Sequence, residues 1–490
     1  MPWDRWDFTA LALSALAVIG VFAIKLKIFY DLGYTSDLFV SVQLARSWLE
    51  GQGFFTANCF QPLLASHTYF LLLPLGFLAE PFGAPGLLFA LAASVGASYF
   101  WAARVLRLLG IAGPIAIILG GIVLISPLSV AFYRESLYGF HVEVLTPTPC
   151  LLLFYFLLRQ RMIPSIITAI VVISVKEDAP IAAAMVALVA CIETWASSAG
   201  KQRRDRINWT GVVTLLLSIV AIPLLLAISR SQSPTPYDYY LVHSRLGRVT
   251  PENLTGPGAL FSFVASNSTH WLGSGVVRQW FWIMLVGSFG TILLRPYYLV
   301  AGVVTTLVAW LVNLNDLLWA PRFYPTEALL WCITLVGFAS VARAVTLETR
   351  WARAAVVAAA VVVATISGAA QLALVPDARN AYLLSSGSPY TPLERQQADA
   401  VFGRYRREGK PEEPVIASTM LFRYAHDRNL FFLDRLYGRP APIWILGDSA
   451  DSYLPFRISA DTINPLSGIK MTDYTVIDSR GRFVLLRRKD

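Results

Sequence analysis

The chain has 490 residues, of which 56% are hydrophobic and 14% charged, with a formal net charge of +9. A soluble domain is usually about 45–50% apolar and about 25% charged, so the composition excludes an ordinary water-soluble protein and indicates a polytopic membrane protein. The positive charge does not indicate nucleic acid, because the basic residues lie in short loops between apolar runs, where membrane topology puts them.

A span needs about 20 apolar residues. The first run, 8–26, follows Met-Pro-Trp-Asp-Arg-Trp-Asp, which is not the basic start of a signal peptide. It is expected to be an uncleaved helix. The run 67–80 is short, ends at Glu80-Pro-Phe-Gly83, and reads as an interfacial or re-entrant piece. Spans are expected at 86–103, 112–131, 144–158, 162–175, 179–195, 211–229, 279–294, 296–312, 325–342 and 352–374, eleven in all with the first. The cysteines Cys59, Cys150, Cys191 and Cys332 form no C-x-x-C pair, so neither a disulfide framework nor a zinc site is indicated.

With the N-terminus inside, the inner loops hold Arg104 and Arg107, Arg159 and Arg161, Lys201 to Arg206, Arg295, and Arg343 to Arg353. Every inner loop is then basic, as the positive-inside rule requires. Lys25 and Lys27 are the exceptions. The outer connections are 27–66, 132–143, the turn 176–178, 230–278 and 313–324. The last span delivers 376–490 to the outside. That tail carries 17 Lys and Arg against 14 Asp and Glu, a charge density that belongs in water. Its runs 414–418, 430–433, 474–477 and 483–486 read as strands and 392–407 as a helix, so a small α/β domain is expected.

Three polar clusters fall on the outer side: Tyr34-Thr-Ser-Asp37, Tyr138-Gly-Phe-His-Val-Glu143 and Lys176-Glu-Asp178. Ionisable groups at membrane depth are costly, and their default reading is functional. The spans 144–158, 162–175 and 179–195 are short against a hydrocarbon core of about 30 Å, which places the 176–178 turn below the bilayer surface, in a water-filled hollow. Asp37 has two open roles: a cap for the amphipathic stretch after it, or a carboxylate acting as general base. His141 and Glu143, at i and i+2, share a face only if the segment is extended. Asp178 before Ala179-Pro180 is an ordinary helix start, which leaves Lys176 and Glu177 unexplained. Arg134 is a further outer-side candidate, whose other reading is a solvated pair with Glu135, and Arg322 is either a phosphate ligand or an interfacial anchor with Trp319 and Tyr324. The 230–278 loop is long enough to be a lid or binding loop.

The order Tyr34-x-x-Asp37-Leu38, Gly51-x-Gly53, His67, Phe140-His-Val-Glu143 and Lys176-Glu-Asp178 resembles a bacterial family of uncharacterised predicted membrane proteins with Phe-His-Pro-Glu and Lys-Glu-Asp motifs. Val142 stands where that family has Pro. The layout is also similar to the GT-C glycosyltransferases, multi-span enzymes that use a polyprenyl-phosphate sugar donor. The resemblance implies a GT-C-like helical domain over 1–375, a periplasmic domain over 376–490, and a bacterial inner-membrane protein that transfers sugar with inversion to an extracytoplasmic acceptor. It places Asp37 at the position of the catalytic carboxylate, without the second adjacent acidic residue common there. Tyr34, His67, Arg134, His141, Glu143, Lys176, Glu177, Asp178, Arg322 and Tyr324 then form the substrate pocket. No metal or cofactor is demanded; the lipid-linked sugar is a co-substrate. Two other functions fit the same layout: a transporter or flippase of a lipid-linked solute, and a non-catalytic envelope assembly factor.

Overall fold

The computed structural model describes residues 3–35, 37–55, 67–134, 138–197, 207–232, 265–299, 324–344, 350–374, 388–418, 420–426, 430–431, 441–451, 462–464 and 469–489, with single residues between 262 and 310. Arg322 and most of the 230–278 loop lie outside them.

The first helix, α1 (Arg5–Tyr30), begins at a capping box in which Asp4 accepts from the Trp6 and Asp7 amides and Asp7 reaches back. Two short helices follow, α2 (Asp37–Arg46) and α3 (Leu72–Phe82), then the long α4 (Ala84–Leu108). Arg107 of α4 donates at 2.6 Å to both Asp4 and Asp7, so α1 and α4 run antiparallel with their charged ends together. Midway, a Cβ on Gly96 would stand 2.5 Å from the Val18 side chain. Small residues allow this close approach where lipid supplies no hydrophobic drive between helices. The opposite side of α1 exposes Phe8, Leu11, Leu16 and Ile19, a surface suited to acyl chains.

The expected span 112–131 is broken. Helices α5 (Gly113–Leu124) and α6 (Pro127–Arg134) meet at 58°, because Pro127 lacks the amide that would continue the first helix. After them come α7 (Pro147–Leu158), α8 (Met162–Ile173), α9 (Ala179–Ser197) and α10 (Trp209–Gln232). Tyr155 of α7 sits 5.3 Å from Trp101 of α4, and Arg104 lies over its ring. The basic ends of α4 and α7 are therefore at one end of the bundle. The loops 134–146 and 174–178 are at the other. Leu71 ahead of α3 donates to the Ser174 carbonyl at 2.7 Å, which puts α3 there too. Helices α11 (Gly275–Gly287), α12 (Tyr324–Ala344) and α13 (Arg350–Leu374) complete the bundle. Gln371 of α13 ties to the Val286 carbonyl of α11 at 2.9 Å. Among the described residues three helices are long and apolar enough to cross a membrane, Arg5–Tyr30, Ala84–Leu108 and Ala179–Ala196, and the bent α5–α6 pair makes a fourth. The other apolar helices are shorter.

The C-terminal part is a separate α/β layer. Its helix α14 (Pro392–Glu408) starts at a Thr391–Glu394 capping box. Strands β1 (Val415–Ala417), β2 (Leu430–Phe431), β3 (Trp444–Asp448), β6 (Tyr474–Arg480) and β7 (Phe483–Arg488) form one sheet, ordered β2-β1-β3-β7-β6. A small pair, β4 (Thr462–Asn464) and β5 (Ile469–Lys470), stands apart. β3 is fully buried at the centre, so it shows no alternation, and the sequence reading does not single it out. Phe402 and Tyr405 of α14 pack on Phe483 and Trp444. This layer docks on the α1 end and on α2: Phe39 meets Phe422 at 5.8 Å, Gln43 donates to the Leu430 carbonyl at 3.0 Å, and Arg395 lies 3.8 Å from Asp31.

Candidate functional site

All three polar clusters, 34–37, 138–143 and 176–178, meet at the end of the bundle opposite the basic helix ends. Asp37 opens α2, where an acidic group also favours the helix dipole. Its carboxylate is 43% exposed and lies 3.8 Å from His141 Nε2. His141 is extended (φ −133°, ψ 144°) and is followed by one 3-10 turn, Val142–Leu145. That change of conformation sends the two candidates apart: His141 to Asp37, Glu143 inward. The ring of Tyr138 leans on His141 at 4.8 Å.

Glu143 is buried. Its Oε1 accepts from the Tyr69 hydroxyl at 2.9 Å and pairs with Lys176 Nζ at 3.1 Å. One residue on, Glu177 is buried as well. Its Oε1 lies 3.0 Å from His67 Nδ1 and its Oε2 accepts the Thr68 amide at 3.0 Å. The His67 and Tyr69 rings stack at 4.9 Å. The segment 67–69 thus stitches the second and third clusters together. Asp178 precedes α9, with Pro180 in the first turn. Arg134 ends α6 and is buried. Tyr34 is buried three residues before Asp37. Tyr324 begins α12.

Among the described residues, four buried polar atoms in or next to these clusters have no hydrogen-bond partner: Glu143 Oε2 and the hydroxyls of Thr35, Thr68 and Thr146. Thr68 is the residue whose amide holds Glu177. The Thr146 amide bonds the Glu143 carbonyl at 2.9 Å. An unmade hydrogen bond in a buried site costs about 1–3 kcal/mol, and all four of these atoms are closed off from solvent. Among the described residues no three His, Cys, Asp or Glu gather in a way that could hold a metal ion.

Sequence reasoning missed Tyr69, Thr68 and Thr146, and held Thr35 only as part of the first cluster. Tyr69 had a weak signal, two residues after His67. A hydroxyl beside a buried acid cannot be distinguished in sequence from any other Tyr or Thr at a span end.

The acids titrate in opposite directions. Burial pushes the Glu143 carboxyl up, but Lys176, His141 and His67 outweigh it and hold the group at about 2. Burial also pushes Asp178 up. Lys176 opposes this, Glu177 and Glu143 add to it, and the carboxyl comes to about 6. The stability that Glu143 contributes is present above its ordinary 4.5 and lost as pH falls toward 2. The contribution of Asp178 is full below its ordinary 3.8 and lost as pH rises through about 6. Between those values the folded state binds the extra proton. Unfolding of purified protein in detergent, followed across pH 4–7, is expected to show a decline in stability that Asp178→Asn flattens. An unchanged slope in the variant would refute the assignment.

The sequence matches the family described as "Predicted membrane protein (DUF2079)" over residues 29–422, and the chain belongs to that family. No curated protein matches it. Among solved structures, ArnT from Cupriavidus metallidurans bound to undecaprenyl phosphate is similar at 12% identity and a TM-score of 0.47, over 96% of this chain and 97% of that one. The apo form of the same protein gives 15% identity and 0.43, over 96% and 98%. The arabinofuranosyltransferase AftD from Mycobacteria gives 14% identity and 0.48, over 99% of this chain and 40% of that one.

Proposed function

We propose that this chain is a glycosyltransferase of the bacterial inner membrane, N-terminus inside, that moves a sugar from a polyprenyl-phosphate carrier to an extracytoplasmic acceptor with inversion. The observation that carries the reading is a half-exposed carboxylate, Asp37, beside a buried floor of polar groups with unfilled hydrogen-bonding capacity. A sugar is a dense array of hydroxyls, and each one can complete Glu143 Oε2, Thr35, Thr68 or Thr146. Asp37 is accessible to an acceptor from outside while the floor takes the donor sugar.

In this mechanism Asp37 takes the proton from the acceptor hydroxyl as its oxygen attacks the anomeric carbon. The C–O bond to phosphate breaks on the opposite face, and its electron pair leaves with the polyprenyl phosphate. An anionic leaving group calls for a cation more than an acid. Lys176 and Arg134 are cations at this end of the bundle, and Arg322 is a third, outside the described residues. His141 holds the base, and Glu177 with His67 shapes the sugar pocket beside Asp178 and Tyr34. No cofactor or metal is invoked. The C-terminal domain, docked on α2, holds the acceptor.

The test is to incubate purified protein in nanodiscs with a panel of radiolabelled polyprenyl-phosphate sugars. Turnover of a donor supports the transferase. Binding without turnover, with movement of the label across the bilayer, overturns it in favour of a lipid flippase. Neither binding nor turnover across a broad panel overturns it in favour of an assembly factor.

A further inference from the structure

Lys25 is the one lysine on the outer half of α1 that is drawn inward. It is 2% exposed, although it sits in an otherwise apolar helix. Its ammonium donates to the Gly139 carbonyl at 3.0 Å and to the Arg134 carbonyl. The face of the Tyr34 ring lies 5.3 Å away, within cation–π reach. Lys25 therefore touches both sides of the loop that ends α6 and carries on to His141, and it also touches the segment that leads to Asp37.

Gly139 makes the same contact from the other direction. It adopts φ +78°, and a Cβ there would stand 2.7 Å from the Tyr34 ring. A side chain at 139 would push the loop off Tyr34. From Gly139 it is two residues to His141, and from Tyr34 three to Asp37, and those two side chains are 3.8 Å apart. The spacing of the pair is thus set by how tightly the two segments are held against each other behind it.

We infer that Lys25, acting with Tyr34 and Gly139, is a positioning residue: it clamps Arg134 and Gly139 against Tyr34 and so fixes the Asp37–His141 pair. This deepens the transferase reading and rests on it for its catalytic consequence, but not for the clamp itself. The chemistry requires a lysine more than a hydrophobe here. An ammonium offers three donors on a flexible stem, and these two carbonyls are buried, where water does not supply donors. It also explains a basic residue on the wrong side of the first span: Lys25 satisfies a loop instead of anchoring topology.

The test compares wild type with Lys25→Met, Lys25→Arg and Gly139→Ala in nanodiscs, by hydrogen exchange of the backbone amides. Lys25→Met is expected to lower protection of amides 139–143 by at least about tenfold while α4 amides keep theirs. Lys25→Arg should restore most of the protection, and Gly139→Ala should reproduce the loss with no change of charge. If Lys25→Met fails to insert, Gly139→Ala decides by the same readout. Unchanged protection at 139–143, or an equal loss in α4, overturns the clamp whether or not any donor is turned over. Where a donor is turned over, kcat should fall in Lys25→Met with donor KM unchanged, and recover in Lys25→Arg. Equal loss in both variants would also overturn it.

Discussion

Asp37→Asn is expected to lower transfer by about 10²–10⁴-fold, the range a positioned general base supplies, with insertion and folding intact. The amide keeps the size of the carboxylate but cannot take the acceptor's proton. Because Asp37 is 43% exposed and opens α2 on the solvent side, the substitution leaves no buried charge orphaned and should cost little stability. The measurement is label transferred per minute in nanodiscs, with the thermal unfolding of each variant recorded alongside. Wild-type turnover that survives Asp37→Asn would sink the base assignment. His141→Gln is the companion: a smaller loss, since His141 acts on Asp37 and not on substrate.

Lys176→Met should destabilise the protein by about 3–5 kcal/mol, the usual cost of leaving one partner of a buried ion pair uncompensated. The orphan is Glu143, buried and pulled down to about 2 chiefly against burial by Lys176. Without the ammonium that charge keeps the Tyr69 hydroxyl on Oε1 and the weaker influence of His141 and His67. Adding Glu143→Gln should recover most of the loss, because a neutral amide still accepts from Tyr69 and needs no counter-ion. A double-mutant cycle on denaturant unfolding in detergent gives the coupling directly. If Lys176→Met alone changes stability by less than about 1 kcal/mol, the pair is solvated and the buried floor is misread. Donor binding should be lost in the single variant at temperatures where it remains folded, which separates the site from the scaffold.

The membrane class and the small C-terminal sheet were legible because both rest on local properties. Apolar runs and the basic residues between them are written in consecutive residues. The strands at 415–417 and 474–480 and the helix at 392–408 announce themselves by runs and caps. The three polar clusters were also visible, because a charge inside a greasy context stands out one residue at a time. The break at Ser126-Pro127 was written in the sequence as well, yet it was read as one continuous span, since hydropathy is indifferent to a 58° bend.

Pairing was not legible. Lys176 and Glu177 are adjacent, yet one serves Glu143 and the other His67. His141 and Glu143 are two apart, yet a 3-10 turn aims them at different partners. Lys25 looked like a topological exception until the fold put two carbonyls and a tyrosine ring around it.

By itself, then, the sequence determined that this protein lies in a membrane, which residue types gather where its apolar runs end, and that a charged part with its own strands follows the last run. Only the tertiary structure decided which charge answers which, which polar atoms remain to be completed, and what holds Asp37 against His141. The reason is physical. Hydropathy and capping act over one to four residues along the chain. Buried ion pairs and hydrogen bonds act over about 3 Å in space, between residues that the packing of helices brings together from positions as far as 74 to 114 apart.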